Sequence, residues 1–227
     1  MPNRKVLREA AKHRRRKSKF ARQVYRQHRQ DVPYLILQLA GPTQAAHDQA
    51  FDLLGEMGDT IVSELLEALQ DPTLEPDAAD EVVSLLGVAG DQRAGPTLWA
   101  FFQANRDDPE RASTAAMSLA SLGDTRVLPY VREDLEAADE ESVANAVSSL
   151  IFLGELEDVD RLRATHLRHL TNHEIRTGVA NAILTILGET DRATLNRTLD
   201  EIQTNPSCRA LWTDIWHILD TEFGQKP

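Results

Sequence analysis

Apolar side chains recur along the chain with the spacing of helices. Leu98, Phe101 and Phe102, for example, lie three and four residues apart, as on one face of a helix. Turn-forming residues at 105–109 interrupt this stripe, and an alanine-rich helical stripe follows. The pattern predicts two short helices joined by a turn. Such a hairpin cannot bury its apolar face alone and needs neighbouring hairpins.

A short phrase closes each pair of stripes and repeats along the chain. It reads Leu-Gly-x-x-Gly-Asp at its clearest, and its last residues are Asp59, Asp91, Asp124, Asp158 and Asp191. The intervals between these aspartates are 32, 33, 34 and 33 residues. A near-constant period in this range predicts a solenoid. The glycines before the first three aspartates predict left-handed helix caps at Gly58, Gly90 and Gly123.

Prolines indicate where each repeat begins. Pro33, Pro96 and Pro129 lie 63 and 33 residues apart, and proline is tolerated in the first turn of a helix. We therefore predict six hairpins, at about residues 32–58, 60–89, 92–122, 126–154, 158–188 and 191–223.

Together these features resemble a known family. The segments Val32-Pro33-Tyr34-Leu35 and Leu128-Pro129-Tyr130-Val131, the alanine-rich second helix and the closing phrase resemble HEAT repeats, in particular the short kind first noted in phycobilin lyases. The resemblance covers roughly residues 32–205. It implies an all-α fold, a right-handed α-solenoid. It does not select an activity, because this fold carries scaffolds, lyase subunits, hydroxylases and DNA glycosylases.

Composition limits the class of protein. Hydrophobic residues make up 41% of the 227 residues, which is enough for a stacked core. No apolar run approaches the ~18 residues that span a bilayer, and the chain does not begin with the apolar core of a secretory signal. The single cysteine, Cys208, excludes an intramolecular disulfide and is interpreted as a half-buried thiol near Trp212. We expect a cytoplasmic protein.

The charge is distributed very unevenly. The net charge is −11, yet the first thirty residues contain twelve Lys or Arg and one acid, a balance of +11. The remainder carries −22. This asymmetry predicts a basic arm at residues 1–30, an acidic repeat array at 31–223 and a short tail at 224–227.

The basic arm has several possible roles. It could neutralise the phosphates of nucleic acid, bind an acidic protein surface including the array of its own chain, contact an anionic membrane surface, or serve as a targeting signal. A solvated helix that leads into the array is a further interpretation. Candidate polyanion-binding residues are Lys12, Arg14, Arg15, Arg16, Lys17, Lys19 and Arg22.

Three histidines have a spacing that can hold a metal. His166, His169 and His173 lie at i, i+3 and i+7, but Thr171-Asn172 predicts a turn and a helix start between them. Arginines nearby also disfavour a dication. We therefore predict no metal site and interpret the region as a basic island, which includes Arg161, Arg163 and Arg168 and could contact a carboxylate or phosphate. Ordinary exposed helix residues are the alternative interpretation.

Enzymes of the same repeat fold fit the residues poorly. Di-iron hydroxylases of the HEAT type carry several His-Glu dipeptides, whereas this chain has only His173-Glu174. Repeat-type DNA glycosylases need a basic concave surface, whereas this array carries −22. No catalytic residue and no cofactor site is predicted.

Aromatic residues near the C-terminus predict a cap for the core. Leu211, Trp212, Ile215, Trp216 and Leu219 are expected on one helix face that seals the last hairpin. An interaction hot spot is the alternative. Trp99, Phe101 and Phe102 are expected in the core.

These observations favour a non-enzymatic scaffold or adaptor that binds a protein of basic or mixed charge. The alternatives are a nucleic-acid-associated accessory protein anchored by the arm, and a lyase-like enzyme subunit. The partner-binding candidates are Asp48, Asp52, Glu56, Asp80, Glu81, Glu110, Glu140, Glu141, Arg161, Arg163 and Arg168.

Overall fold

The computed structural model describes residues 18–223, with the side chains of residues 222 and 223 excepted. Over this range the chain forms α-helices, short 3-10 turns and connecting loops, and no strand. The all-α prediction is confirmed. None of the described helices is long and apolar enough to cross a membrane.

The chain divides into two compact units between Ala104 and Asn105. The described part of unit 1 begins with helix α1 at residues 18–28 and continues with α2 (Val32–Gln38), α3 (Gln44–Met57), α4 (Val62–Ala68), α5 (Pro76–Ala89) and α6 (Gly95–Ala104). Helix α2 packs on α3, α4 packs on α5, and α3 lies against α5. Helix α1 joins this packing through Ala21 and Val24, which are both buried.

Unit 2 continues the alternation of shorter and longer helices. Its helices are α7 (Pro109–Ser121), α8 (Leu128–Asp134), α9 (Glu140–Leu153), α10 (Asp158–Arg168), α11 (His173–Gly188), α12 (Arg192–Thr204) and α13 (Arg209–Phe223). The longer helices α7, α9, α11 and α13 pack side by side in that order. The shorter α8, α10 and α12 each contact the longer helix that follows.

Local signals place the helix ends. Pro33, Pro96 and Pro129 lie in the first turns of α2, α6 and α8, as predicted from their spacing. The side chains of Asp108, Asp139 and Asn172 cap α7, α9 and α11. Each accepts a hydrogen bond from the backbone N–H three residues later.

Three glycines adopt positive φ angles where the repeat phrase predicts helix caps. Gly90 is left-handed, with φ 68° and ψ 20°, and Gly123 has φ +76°. Gly58 departs from the prediction, because φ 54° and ψ −132° lie outside the left-handed helical region. All three conformations are readily adopted only by a residue without Cβ.

The core contains most of the predicted apolar positions, with two corrections. Leu211 and Ile215 of α13 are buried, but Trp216 is 59% exposed and its ring lies 6.3 Å from that of Trp212. Adjacent helix positions point about 100° apart, and in α13 the side of Leu211 and Ile215 faces the core while Trp216 lies outside it. Trp99 and Phe101 are only half-buried, whereas Phe102 is buried.

Gly154 is closely packed, and Gly154→Ala is expected to destabilise the protein. A Cβ at this position would approach the Leu150 carbonyl oxygen and lie 2.6 Å from the Ile186 Cδ1, well inside van der Waals contact. We expect a loss of about 1–3 kcal/mol in the free energy of unfolding. Gly188→Ala is the matched control, because a Cβ there meets no atom within 4 Å. Urea unfolding followed by circular dichroism compares the two, and equal stabilities would contradict the close packing.

Candidate partner-binding surface

A row of carboxylates runs along helix α3. Asp48, Asp52 and Glu56 follow one another at four-residue spacing, which places them on one side of the helix, and all three are exposed. Like charges at this spacing destabilise a helix by a few tenths of a kcal/mol per pair. The row thus weakens α3 unless a cation binds to it.

One end of the row is neutralised within the protein. His47 lies 3.1 Å from an Asp48 carboxylate oxygen through Nδ1 and 3.0 Å from Glu81 on α5 through Nε2. The hydrogen bond to Asp48 raises the pKa of His47, and Glu81 acts in the same direction against partial burial. Hydrogen bonds from His47 and Gln44 lower the pKa of Asp48. Asp48 and Glu81 are therefore occupied within unit 1.

Asp52 and Glu56 are in a different situation. Neither makes a hydrogen bond or ion pair with another side chain in the described part of the chain. Asp59 lies just beyond them in the 3-10 turn Gly58–Ile61 and is also exposed. Asp52 and Glu56 are thus the least compensated of the acids predicted in unit 1, and Asp59 adds a third exposed carboxylate beside them.

The same carboxylates line an open groove of about 700 Å³ on unit 1. It is lined by residues of α3, which include Phe51 and Gly55, and by the start of α1 and the end of α5. Phe20 of α1 and Val88 of α5 belong to this lining and are 52% and 68% exposed. We call this site, with its acids Asp52, Glu56 and Asp59, the acidic groove. It combines apolar surface with negative charge.

Sequence reasoning identified only part of this groove. Asp52 and Glu56 were predicted, whereas Asp59, Phe51 and Val88 were not. Val88 occupies the same position in the second repeat phrase as Glu56 does in the first, directly after Leu-Gly. Both side chains are exposed. For Val88 the available signal was its variable position in the phrase, directly after the constant Leu-Gly.

The other predicted acids are spread over several helices. Glu110, Glu140 and Glu141 lie in the first turns of α7 and α9, where negative charge favours the helix dipole. Glu140 also accepts a 2.8 Å hydrogen bond from Asn172. Asp80 in α5 is half-buried. These residues have structural roles in their own helices, and the structure does not bring them into the acidic groove.

The predicted basic island in unit 2 is largely paired with acids. Arg163 lies 3.1 Å from Asp160 and 3.4 Å from the Cys208 Sγ. Arg168 pairs with Glu136, and Arg161 lies 4.0 Å from Asp158. Cys208 itself is buried and not half-buried as predicted, because α10 and its arginine cover the thiol.

The three histidines do not converge on a metal site. A helix start separates them as predicted, since Asn172 caps α11 and His173 begins it. No group of three potential metal ligands is present among the described residues. His166 is buried, and its Nε2 lies 2.7 Å from an Asp214 carboxylate oxygen.

Asp214 connects three helices of unit 2. Arg176 on α11 donates to both Asp214 carboxylate oxygens, at 3.1 and 2.7 Å, while His166 reaches it from α10. Sequence analysis missed this contact, since His166 and Asp214 lie 48 residues apart. It is a structural link between α10, α11 and α13.

Another ion pair of unit 2 lies at the start of α10. The Asp158 side chain is fully buried and accepts from Arg132 of α8 at 2.7 and 3.0 Å. It also accepts a 2.9 Å hydrogen bond from the backbone N–H of Glu155. This aspartate belongs to the repeat phrase, but its pairing with Arg132 was not predicted.

The predicted polyanion-binding residues are only partly described. Lys19 and Arg22 lie on α1 and are exposed. Lys12, Arg14, Arg15, Arg16 and Lys17 lie outside the described residues.

Comparison with known proteins assigns no family. The chain matches no protein-family model, and a search of curated proteins returns no significant relative.

Proposed function

We propose that this chain is a non-enzymatic protein-binding scaffold or adaptor, built as a HEAT-like right-handed α-solenoid of about six hairpins. The 33-residue period and the side-by-side packing of α7, α9, α11 and α13 support the solenoid. Its partner is a protein segment of basic or mixed charge.

The observation that carries this proposal is the pair of carboxylates on α3, Asp52 and Glu56, that have no counter-charge among the described side chains. Asp52 and Glu56 repel each other, lie beside exposed Phe20 and Val88, and bind no described side chain. A basic segment with apolar side chains would relieve the repulsion and cover the apolar surface at once. Charge complementarity of this kind chiefly provides specificity and a fast association rate.

Charge neutralisation tests the proposal. The purified protein and the variant Asp52→Asn/Glu56→Gln are used to capture proteins from lysate of the native host, with quantification by mass spectrometry. We expect one or a few basic proteins to bind the unmodified chain and to be lost with the variant, because the complementary charge is gone.

Glu67→Gln/Glu75→Gln is the matched control, since it removes two exposed acids of unit 1 that lie outside the acidic groove. It should retain the partner. Captured proteins should also dissociate as added salt screens the charges. If both variants retain or both lose the same proteins, the acidic groove is not the binding surface.

A second candidate function is attachment to nucleic acid through the arm. The observation in its favour is a row of cations on α1, where Lys19, Arg22 and Arg26 are exposed at i, i+3 and i+7. Such a row can track phosphates without reading sequence. The array would then hold a protein partner while the arm holds the nucleic acid.

A further inference from the structure

We propose that the acidic groove is the docking site of the chain's own residues 1–17. The groove lies on unit 1, and the start of α1 is part of its lining. This inference names the occupant of the groove in the free protein. It rests on the proposed function only in that an outside partner would compete for the same carboxylates.

The position of the tether favours this occupant. Ser18, the first described residue, is itself part of the groove lining, so residues 1–17 leave the described chain at the groove. Seventeen residues span on the order of 55 Å when extended, which is ample to cross it. A segment joined directly to its site has a high effective concentration there, in the millimolar range for short linkers.

The charges of the segment and the groove are complementary. Residues 1–17 contain eight Lys or Arg and one acid, Glu9. The acidic groove offers Asp52, Glu56 and Asp59, of which Asp52 and Glu56 bind no described side chain. Several surface ion pairs, each weak by itself, add up when they form within one tethered segment, because no second loss of translational freedom is involved.

Apolar contacts are available on both sides. Phe20 and Val88 in the groove lining are more than half exposed, and Phe51 in the same lining stacks on the His47 ring. Residues 1–17 carry Val6 and Leu7 between their cations. Covering exposed phenylalanine and valine by such side chains would remove apolar area from water.

Zero-length cross-linking of the full chain identifies the occupant. A carbodiimide joins lysine amines to carboxylates in direct contact. Lys5 and Lys12 are the informative amines, because Lys17 is bonded to the groove-lining Ser18 and could react whether or not the segment docks. We expect cross-links from Lys5 and Lys12 to Asp52, Glu56 and Asp59, and their loss in high salt. Mixing ¹⁵N-labelled and unlabelled protein separates links within a chain from links between chains.

Trypsin cleavage supplies a second readout that does not depend on those carboxylates as reactive groups. Docking should slow cleavage after Arg14, Arg15 and Arg16. Asp52→Lys/Glu56→Lys should accelerate it about tenfold, which corresponds to the loss of two or three surface ion pairs. The control Glu67→Lys/Glu75→Lys should leave the rate unchanged.

Three results would overturn the inference. Cross-links that reach Glu67 and Glu75 as often as the groove acids would show no preferred site. Links between labelled and unlabelled chains would make a second copy the occupant. The third result is an equal trypsin rate in both lysine variants together with salt-dependent binding of RNA or DNA that requires residues 1–17. It would mean that the segment binds nucleic acid and not the acidic groove. In each case, groove-dependent capture of a partner would still leave the proposed function standing.

Discussion

Asp158→Asn is expected to lower the free energy of unfolding by about 2–3 kcal/mol, because it leaves donors around a fully buried carboxylate without their acceptor. The carboxylate receives two hydrogen bonds from Arg132 and one from the Glu155 backbone. An amide has nearly the same shape but carries its own N–H donors, so one of its ends would face other donors. Arg132 would keep its ion pairs with Glu155 and Glu157, which limits the loss.

Asp160→Asn is the matched control for this substitution. Asp160 lies two residues further along α10 and pairs with Arg163, but its side chain is 87% exposed. Removing an exposed ion pair of this kind should change stability by less than about 1 kcal/mol. Urea titrations of the two variants at one pH, followed by helical circular dichroism, give the comparison. A similar small effect at both positions would mean that Arg132 does not depend on Asp158.

Asp214→Asn is expected to have an effect of similar size, concentrated at the C-terminal end of unit 2. Asp214 accepts from Arg176 and contacts His166, so one carboxylate holds α13 to both α10 and α11. Losing it leaves Arg176 without its charge partner. We expect a loss of about 1.5–3 kcal/mol, since hydrogen bonds to a charged group are lost, and faster amide hydrogen exchange in α13 than in α9, since local opening follows local contacts.

A double-mutant cycle separates the ion pair from general damage to α13. Arg176→Met with Asp214→Leu removes both charges and keeps apolar volume, and it should be more stable than the sum of the single changes predicts. Asp220→Asn, an exposed position on the same helix, is the control and should be nearly neutral. Strict additivity of the two single changes would contradict a direct coupling between Arg176 and Asp214.

The two ion pairs show where sequence reasoning stops. The repeat phrase ends in aspartate each time, yet these aspartates bind different partners. Asp91 and Asp124 accept hydrogen bonds from the N–H groups two residues later and pair with the nearby Arg93 and Arg126. Asp158 instead turns inward. The fourth phrase has Glu157 where the first three have a glycine with positive φ, and Glu157 has φ −66°.

The acidic groove shows the same division. The four-residue spacing of Asp48, Asp52 and Glu56 was enough to place them on one side of a helix. The sequence did not show that Asp48 is paired while Asp52 and Glu56 are not. Asp48 is paired with His47, and His47 also contacts Glu81, a residue 34 positions away. Likewise, Phe20, Phe51 and Val88 line one groove only because α1, α3 and α5 come together in unit 1.

The sequence by itself determined the helical period, the first-turn prolines, the helix caps at Asn172 and Gly90, and the uneven charge. These features depend on neighbours within one or two turns of the chain, where backbone geometry and side-chain type are sufficient. Only the tertiary structure decided that Trp216 is exposed, that Asp158 and Asp214 are bound by arginines, and that an apolar groove adjoins Asp52 and Glu56. Those outcomes depend on which helices lie side by side, and contacts between residues 26 to 48 positions apart leave no periodic trace in a single sequence.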